Sequence, residues 1–333
     1  MTTSAPHIRP RGAGRTLLLF VSVALTATVA ATPPSSRAGK TAAAPLVYTI
    51  TYKAHNGRTR EATVLLPAGY ERGESTPLPL VISPHGRGAS GRSNSTFWGK
   101  LPTIGRFAVV NPDGMGRRLK NFSYGYAGHI DDLARMPSIV TRALPWVKID
   151  RRRVYALGSS MGGQETLLLV ARHPELLAGA AAMDSVTNFA LRYEQALDLP
   201  TSPEFVKRWG APNGVALQSA MRREVGGTPA EKPEAWAARS PLSQARAIAA
   251  SGVPLQIWWS TRDKIVTDQA SQSEALFHQL VRLGPDAPLK VYVGRWAHST
   301  EMRSSALLPL ALSDFGLLPR GFTSCPTGVA NSV

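Results

Sequence analysis

The stretch RRRVYALGSSMGGQETLLLV, residues 151–170, decides the fold. Val154 to Gly158 reads as a short buried strand. Met161 to Arg172 reads as a helix that is apolar nearly all round and is stopped by Pro174. Between them stands Gly158-Ser159-Ser160-Met161-Gly162, a G-x-S-x-G pattern directly after a strand and directly before a helix. A turn this tight needs glycines where the backbone approaches itself, and it lifts one side chain above the carboxyl edge of a sheet. Ser160 is that side chain and is the candidate nucleophile. Ser159 occupies the variable position of the pattern.

Working outward, seven further segments read as strands: Val47 to Tyr52, Ala62 to Leu66, Leu78 to Ser83, Phe107 to Asn111, Ala178 to Met183, Leu255 to Ser260 and Leu289 to Val293. Asn56-Gly57 is a turn signal that makes an antiparallel hairpin of the first two. The later ones are short apolar runs, as strands buried on both faces should be. Helical periodicity covers Asp132 to Trp146, with Asp131 and Asp132 suited to its N-terminus and Pro137 breaking the pattern, and it returns over Gln269 to Leu283. Strands alternating with helices predict an α/β fold with a mostly parallel central sheet flanked by helices. Residues 185–250 interrupt the rhythm. Tyr193, Phe205, Trp209 and Trp236 are scattered through them, and they read as an inserted helical cap over the sheet edge.

A serine hydroxyl is a weak nucleophile until a base takes its proton, and the base needs an acid to orient it. After a G-x-S-x-G turn of this kind the order along the chain is serine, acid, histidine. Asp263 follows the strand PLQIWWS in the loop STRDKIV, and His298 follows LKVYVG in the loop RWAHST, so each stands just beyond a late strand. Asp184 and Asp268 are the alternative acids, and His278 lies within a helical pattern. A developing oxyanion requires two aimed backbone donors. The amide of Met161 is one. The second is expected from Ser83-Pro84-His85-Gly86-Arg87-Gly88, with Arg87 first and Gly86 second.

The ordered set SPHGRG, GSSMGG, STRDKIV and WAHS resembles the α/β-hydrolase superfamily over roughly residues 46–312. More narrowly, it resembles secreted esterases of the feruloyl-esterase and polyester-depolymerase type and the catalytic domain of prolyl oligopeptidases. NPDG at 111–114 fits both groups, and RSPL at 239–242 is similar to the peptidases. The resemblance implies a serine hydrolase with Ser160, Asp263 and His298 as its triad. Two features set the chain apart: only some fifteen residues precede the first strand after the leader, so no N-terminal propeller is expected, and the cysteines common around esterase sites are missing. Hydrolysis of carboxylic esters, small or polymeric, is the first expectation. A peptidase, an acyltransferase and an inactive binding protein are the alternatives, because acyl chemistry is common to the first three and the fold itself does not select a substrate.

Composition sets the frame. With 333 residues, 43% hydrophobic and 18% charged, the chain suits one well-packed globular unit. Arg9, Arg11 and Arg15 precede an apolar run from Leu17 to Ala31 that ends in small residues. That run is shorter than the ~20 residues of a membrane span, and the pattern reads as a secretory signal over 1–31. Residues 32–45 then form a flexible start, 46–318 the catalytic domain and 319–333 a tail. Taking the three arginines from the net charge of +16 leaves +13 for a secreted chain, with no membrane association expected once the signal is removed. The excess charge is scattered, Arg151 to Arg153 being its densest cluster, and no stacking motif or recognition helix accompanies it, so nucleic acid is not an expected partner. Cys325, the single cysteine, permits no intrachain disulfide. The seven histidines show no metal-ligand spacing and no phosphate or dinucleotide loop is present, so neither a metal nor a cofactor is expected.

Overall fold

A computed structural model describes residues 42–199, 203, 207, 214–322 and 330–332. The apolar run expected to be a signal, Phe205, Trp209 and Cys325 lie outside the described residues. All eight expected strands are present: β1 Leu46–Lys53, β2 Thr59–Leu66, β3 Leu78–Ile82, β4 Ala108–Pro112, β5 Ile149–Ser159, β6 Gly179–Met183, β7 Leu255–Ser260 and β8 Leu289–Gly294. Ala330–Ser332, in the segment read as a tail, adds a short β9 antiparallel to β8. The nine strands form one sheet in the order β1-β2-β4-β3-β5-β6-β7-β8-β9. Strands β3 to β8 run parallel to one another, while β1 and β2 at one edge and β9 at the other are antiparallel additions. Gly57, at φ 76°, makes the β1–β2 turn that Asn56-Gly57 predicts.

The parallel strands are apolar throughout because both faces are covered. In β3, Leu78, Leu80 and Ile82 face one side, where they meet Ile130, Leu133 and the Leu167–Val170 turn of the helix Met161–Arg172. Val81 faces the other side, with Trp98, Leu101, Trp258 and Leu308. This period-two split over two hydrophobic layers is what a sheet sandwiched by helices requires.

The strand order locates the site. From β3 the chain crosses to β4 on one side, through a segment that carries Trp98 and Leu101. From β4 it crosses back over to β5 on the other side of β3, and the helix after β5 lies on the opposite face. Chain segments leaving β3 and β5 therefore diverge and open a crevice at their carboxyl ends, the place where open α/β sheets bind ligands.

The helix expected over Asp132 to Trp146 is two helices, Ala127–Ala134 and Met136–Ala143. Pro137 has no N–H to donate and is accommodated only in the first turn of a new helix, so the chain restarts there. Asp131 and Asp132 end the first helix rather than opening a long one. The segment 185–250 contains the helices Phe189–Gln195, Gly214–Val225, Pro233–Ala237 and Ala245–Ala249. It is tied down by a buried ion pair: Arg239 donates to the Ser123 carbonyl at 2.7 Å and lies 3.4 Å from Glu224, whose carboxylate also accepts from the amides of Arg118 and Leu119. The RSPL arginine thus anchors the inserted helices to the loop before the helix Ala127–Ala134.

Candidate active site

β5 ends at Ser159, and Ser160 turns the chain with φ 60° and ψ −123°, a backbone region that L-residues rarely occupy. The strain is held by close packing on both sides. A Cβ at Gly158 would come within 2.4 Å of the Gly162 carbonyl oxygen, and one at Gly162 within 2.3 Å of the Pro84 carbonyl oxygen. The loop after β3 is therefore pressed against the serine turn. Ser160 is partly exposed, whereas Ser159 is buried and donates to Glu301 at 2.6 Å, so the two serines have opposite situations.

Asp263 and His298 meet as expected. Asp263 Oδ2 lies 2.7 Å from His298 Nδ1. The aspartate is held by its own loop: Oδ1 accepts from the amides of Ile265 at 2.8 Å and Val266 at 3.0 Å, and Oδ2 accepts from the Gln269 side chain at 3.1 Å. Burial would raise the Asp263 carboxyl, but the charge and hydrogen bond of His298, with those loop donors, hold it below its ordinary value. Burial likewise opposes a charged His298, yet the Asp263 carboxylate, aided by Asp184, carries the imidazole above its ordinary value. The histidine loop reaches the serine turn directly, since Ser299 Oγ lies 2.9 Å from Ser159 Oγ. Each of these two residues is the chain neighbour of a candidate catalytic residue.

The alternative acids have other partners. Asp184 is fully buried and accepts from the Ser260 amide at 2.8 Å and from the indole N–H of Trp296 at 2.9 Å. It fastens the end of β7 to the histidine loop. Asp268 caps the following turn, accepting from the Ser271 amide at 3.2 Å. Asp184, Asp263 and His298 bring ligand-type atoms within 4.8 Å of one another, and each residue also takes part in the hydrogen bonds just described. His278 is exposed on its helix, beside Glu274.

The loop after β3 is stiffened from behind. His85 Nδ1 donates to the Gly86 carbonyl at 2.7 Å, and Nε2 accepts from the Gly114 amide at 2.7 Å, which fixes the neutral tautomer. Burial lowers the His85 pKa in the same sense. The NPDG segment contributes twice, since Asp113 also accepts from the Gly91 amide at 2.8 Å. Arg87 and Met161 line one cleft with Ser160, so the structure brings the two expected oxyanion residues to the same cavity.

That cleft is narrow: the centre of a water-sized molecule can occupy about 30 Å³ of it. Val186, Phe189, Leu217, Met221, Ile265 and Val266 form its apolar wall, and Tyr124, Gln164 and Arg192 its polar one. Most of these residues were not legible in the sequence. Gln164 is the one with a local signal, a polar side chain in the first turn of a helix whose later turns are apolar. Trp236 stands behind the wall instead of in it: it is 1% exposed, stacks on Phe189 at 4.5 Å and donates to the Gly227 carbonyl. Tyr193 packs edge-on against Trp236 at 5.2 Å.

No family model matches this sequence, and no curated protein is similar enough to count as a relative. Solved structures do share its fold. An S-formylglutathione hydrolase from Staphylococcus aureus is 16% identical with a TM-score of 0.56, the alignment covering 81% of this chain and 98% of that one. A fluorophosphonate-binding serine hydrolase from the same organism is 16% identical with a TM-score of 0.56, covering 82% and 99%. An acylaminoacyl peptidase from Pyrococcus horikoshii is 16% identical with a TM-score of 0.60, covering 85% of this chain but 43% of that one. This chain therefore spans nearly the whole of the two staphylococcal hydrolases and less than half of the peptidase. With its strand order, its strained serine turn and these structural likenesses, the chain has the α/β-hydrolase fold.

Proposed function

We propose that this chain is a serine hydrolase of carboxylic esters, secreted through the signal at its N-terminus. The observation that carries the reading is the Asp263–His298 contact of 2.7 Å beside the strained Ser160 turn. Because Nδ1 donates to the carboxylate, the Nε2 atom of His298 is left to take the Ser160 proton. Ser160 Oγ attacks the ester carbonyl, and the amides of Met161 and Arg87 receive the developing oxyanion. His298 then returns the proton to the leaving alcohol. Water, activated by the same imidazole, releases the acid from the acyl-enzyme.

Esters are favoured over peptides by the proportions of the neighbours. The solved hydrolases that this chain spans end to end are named for thioester or general serine hydrolysis, whereas the peptidase carries more than half of its length beyond the shared fold. A peptidase remains the second reading, supported by the TM-score of 0.60 and by the Arg239 anchor in RSPL. A panel of short and long p-nitrophenyl esters, feruloyl esters and aminoacyl anilides on purified protein separates the two. Turnover of esters with anilides untouched supports the esterase. Anilide cleavage at a comparable rate favours the peptidase.

A further inference from the structure

The polar wall of the Ser160 cleft holds a buried cation that has no ion-pair partner among the described residues. Arg192, on the helix Phe189–Gln195, is 3% exposed, and its Nη1 is buried without a hydrogen-bond partner among the described residues. No carboxylate among the described residues forms an ion pair with it. Arg87 lines the same cleft from the loop after β3, and the buried Tyr124 hydroxyl there also has no hydrogen-bond partner among the described residues. Burial of a charged side chain without a partner is strongly unfavourable, and folds rarely keep one. Here Arg192 and Tyr124 line a single cleft together with the candidate nucleophile. Burial lowers the Arg192 guanidinium to about 10, so it stays charged at neutral pH.

All three groups can donate, and two are cationic, so the missing partner is an oxygen anion. A guanidinium presents a planar fork that matches a carboxylate with two parallel hydrogen bonds. The remaining wall, from Val186, Phe189, Leu217 and Met221, is apolar and suits a short hydrocarbon chain. We propose that the cleft is a carboxylate subsite, and that the substrates are esters whose acyl part ends in a carboxylate a few bonds from the scissile carbonyl, such as half-esters of short dicarboxylic acids. This inference rests on the reading of Ser160 as a hydrolase nucleophile.

Calorimetric binding of glutarate and of its neutral diamide, glutaramide, at fixed ionic strength tests the subsite without turnover. Fluorophosphonate labelling of Ser160, run in parallel, tests the hydrolase reading, so the two can fail separately. Wild type is expected to bind glutarate and not glutaramide. Arg192→Gln is expected to weaken glutarate by on the order of 10–100-fold, the scale of a hydrogen bond to a charged group, with Arg192→Lys recovering part of it. In kinetics, the ratio of kcat/KM for mono-p-nitrophenyl glutarate over p-nitrophenyl valerate should fall by a similar factor in Arg192→Gln. If that variant does not fold, the wild-type pair of ligands and the less buried Arg87→Gln decide. Equal binding of glutarate and glutaramide, no saturable binding of glutarate, or glutarate binding undiminished in the folded arginine variants overturns the proposal.

Discussion

Asp263 Oδ2 stands 2.7 Å from His298 Nδ1 across the ends of β7 and β8, and among the described residues every other hydrogen bond to the Asp263 carboxylate comes from its own loop. The carboxylate is thus oriented before it meets the histidine, and its bond to Nδ1 decides which ring nitrogen carries the proton. The two loops are brought together by strand neighbourhood, since β7 and β8 pair in register from Leu255–Leu289 to Ser260–Gly294.

Removing the charge while keeping the shape tests this pair. Asp263→Asn should lower kcat by on the order of 10⁴, because the amide favours the wrong imidazole tautomer. Asp184→Asn should act differently, loosening the end of β7 and the Trp296 loop and lowering the melting temperature. A nearly silent Asp263→Asn beside a crippled Asp184→Asn would reassign the acid.

The pH profile of kcat/KM should show its acidic limb above about 6.5, the ordinary histidine value, because the Asp263 carboxylate raises the His298 pKa against the opposing effect of burial. Activity requires the neutral imidazole and is lost as pH falls through that raised value. In Asp263→Asn the residual activity should show its limb at lower pH. An unmoved limb would mean that another group controls it.

A second pH effect concerns stability. Glu301 is buried, accepts from Ser159 Oγ at 2.6 Å, and is pushed up to about 7, chiefly by burial. Asp184 is pushed the same way by burial and by the charges of Glu301 and Asp263. Between about 4.3 and its raised value, the folded chain holds a proton that the unfolded chain has released, so this group's stabilising contribution is lost as pH rises. Glu301→Gln cannot ionise. Its melting temperature relative to wild type should therefore climb from pH 5 to pH 8, and a constant difference would show that Glu301 carries its charge in the fold.

The aromatic residues of the inserted segment divide by position. Trp236, stacked on Phe189 and fully enclosed, should cost about 3–5 kcal/mol of stability when cut to alanine, with the preference between short and bulky esters intact. Met221 lines the cleft, and Met221→Ala should change that preference by about 1–3 kcal/mol. A thermal melt beside assays on two ester chain lengths checks both.

What the sequence discloses and what it hides follow one physical division. The placement of Ser160, Asp263 and His298 beyond the ends of strands was legible because each sits in a turn adjoining an apolar run that is visible locally, and the eight strands were found for the same reason. The restart at Pro137 was half visible, as a broken period without its outcome. The residues of the cleft were hidden because nothing local distinguishes Phe189 from Trp236. One lines the cleft and the other supports it only through the way the helices Phe189–Gln195, Gly214–Val225 and Pro233–Ala237 pack. Arg192 is the extreme case, an arginine in a polar-looking helix whose burial depends wholly on that packing.

The most direct measurement of the central claim is covalent labelling of purified protein with a fluorophosphonate probe, wild type against Ser160→Ala, each checked by thermal melt. A nucleophile that works as a unit with its base should be labelled in wild type and unlabelled in the variant, with hydrolysis of p-nitrophenyl esters falling by several orders of magnitude and the melt little changed. Equal labelling of the two proteins, or ester turnover that survives in a folded Ser160→Ala, would contradict Ser160 as the nucleophile.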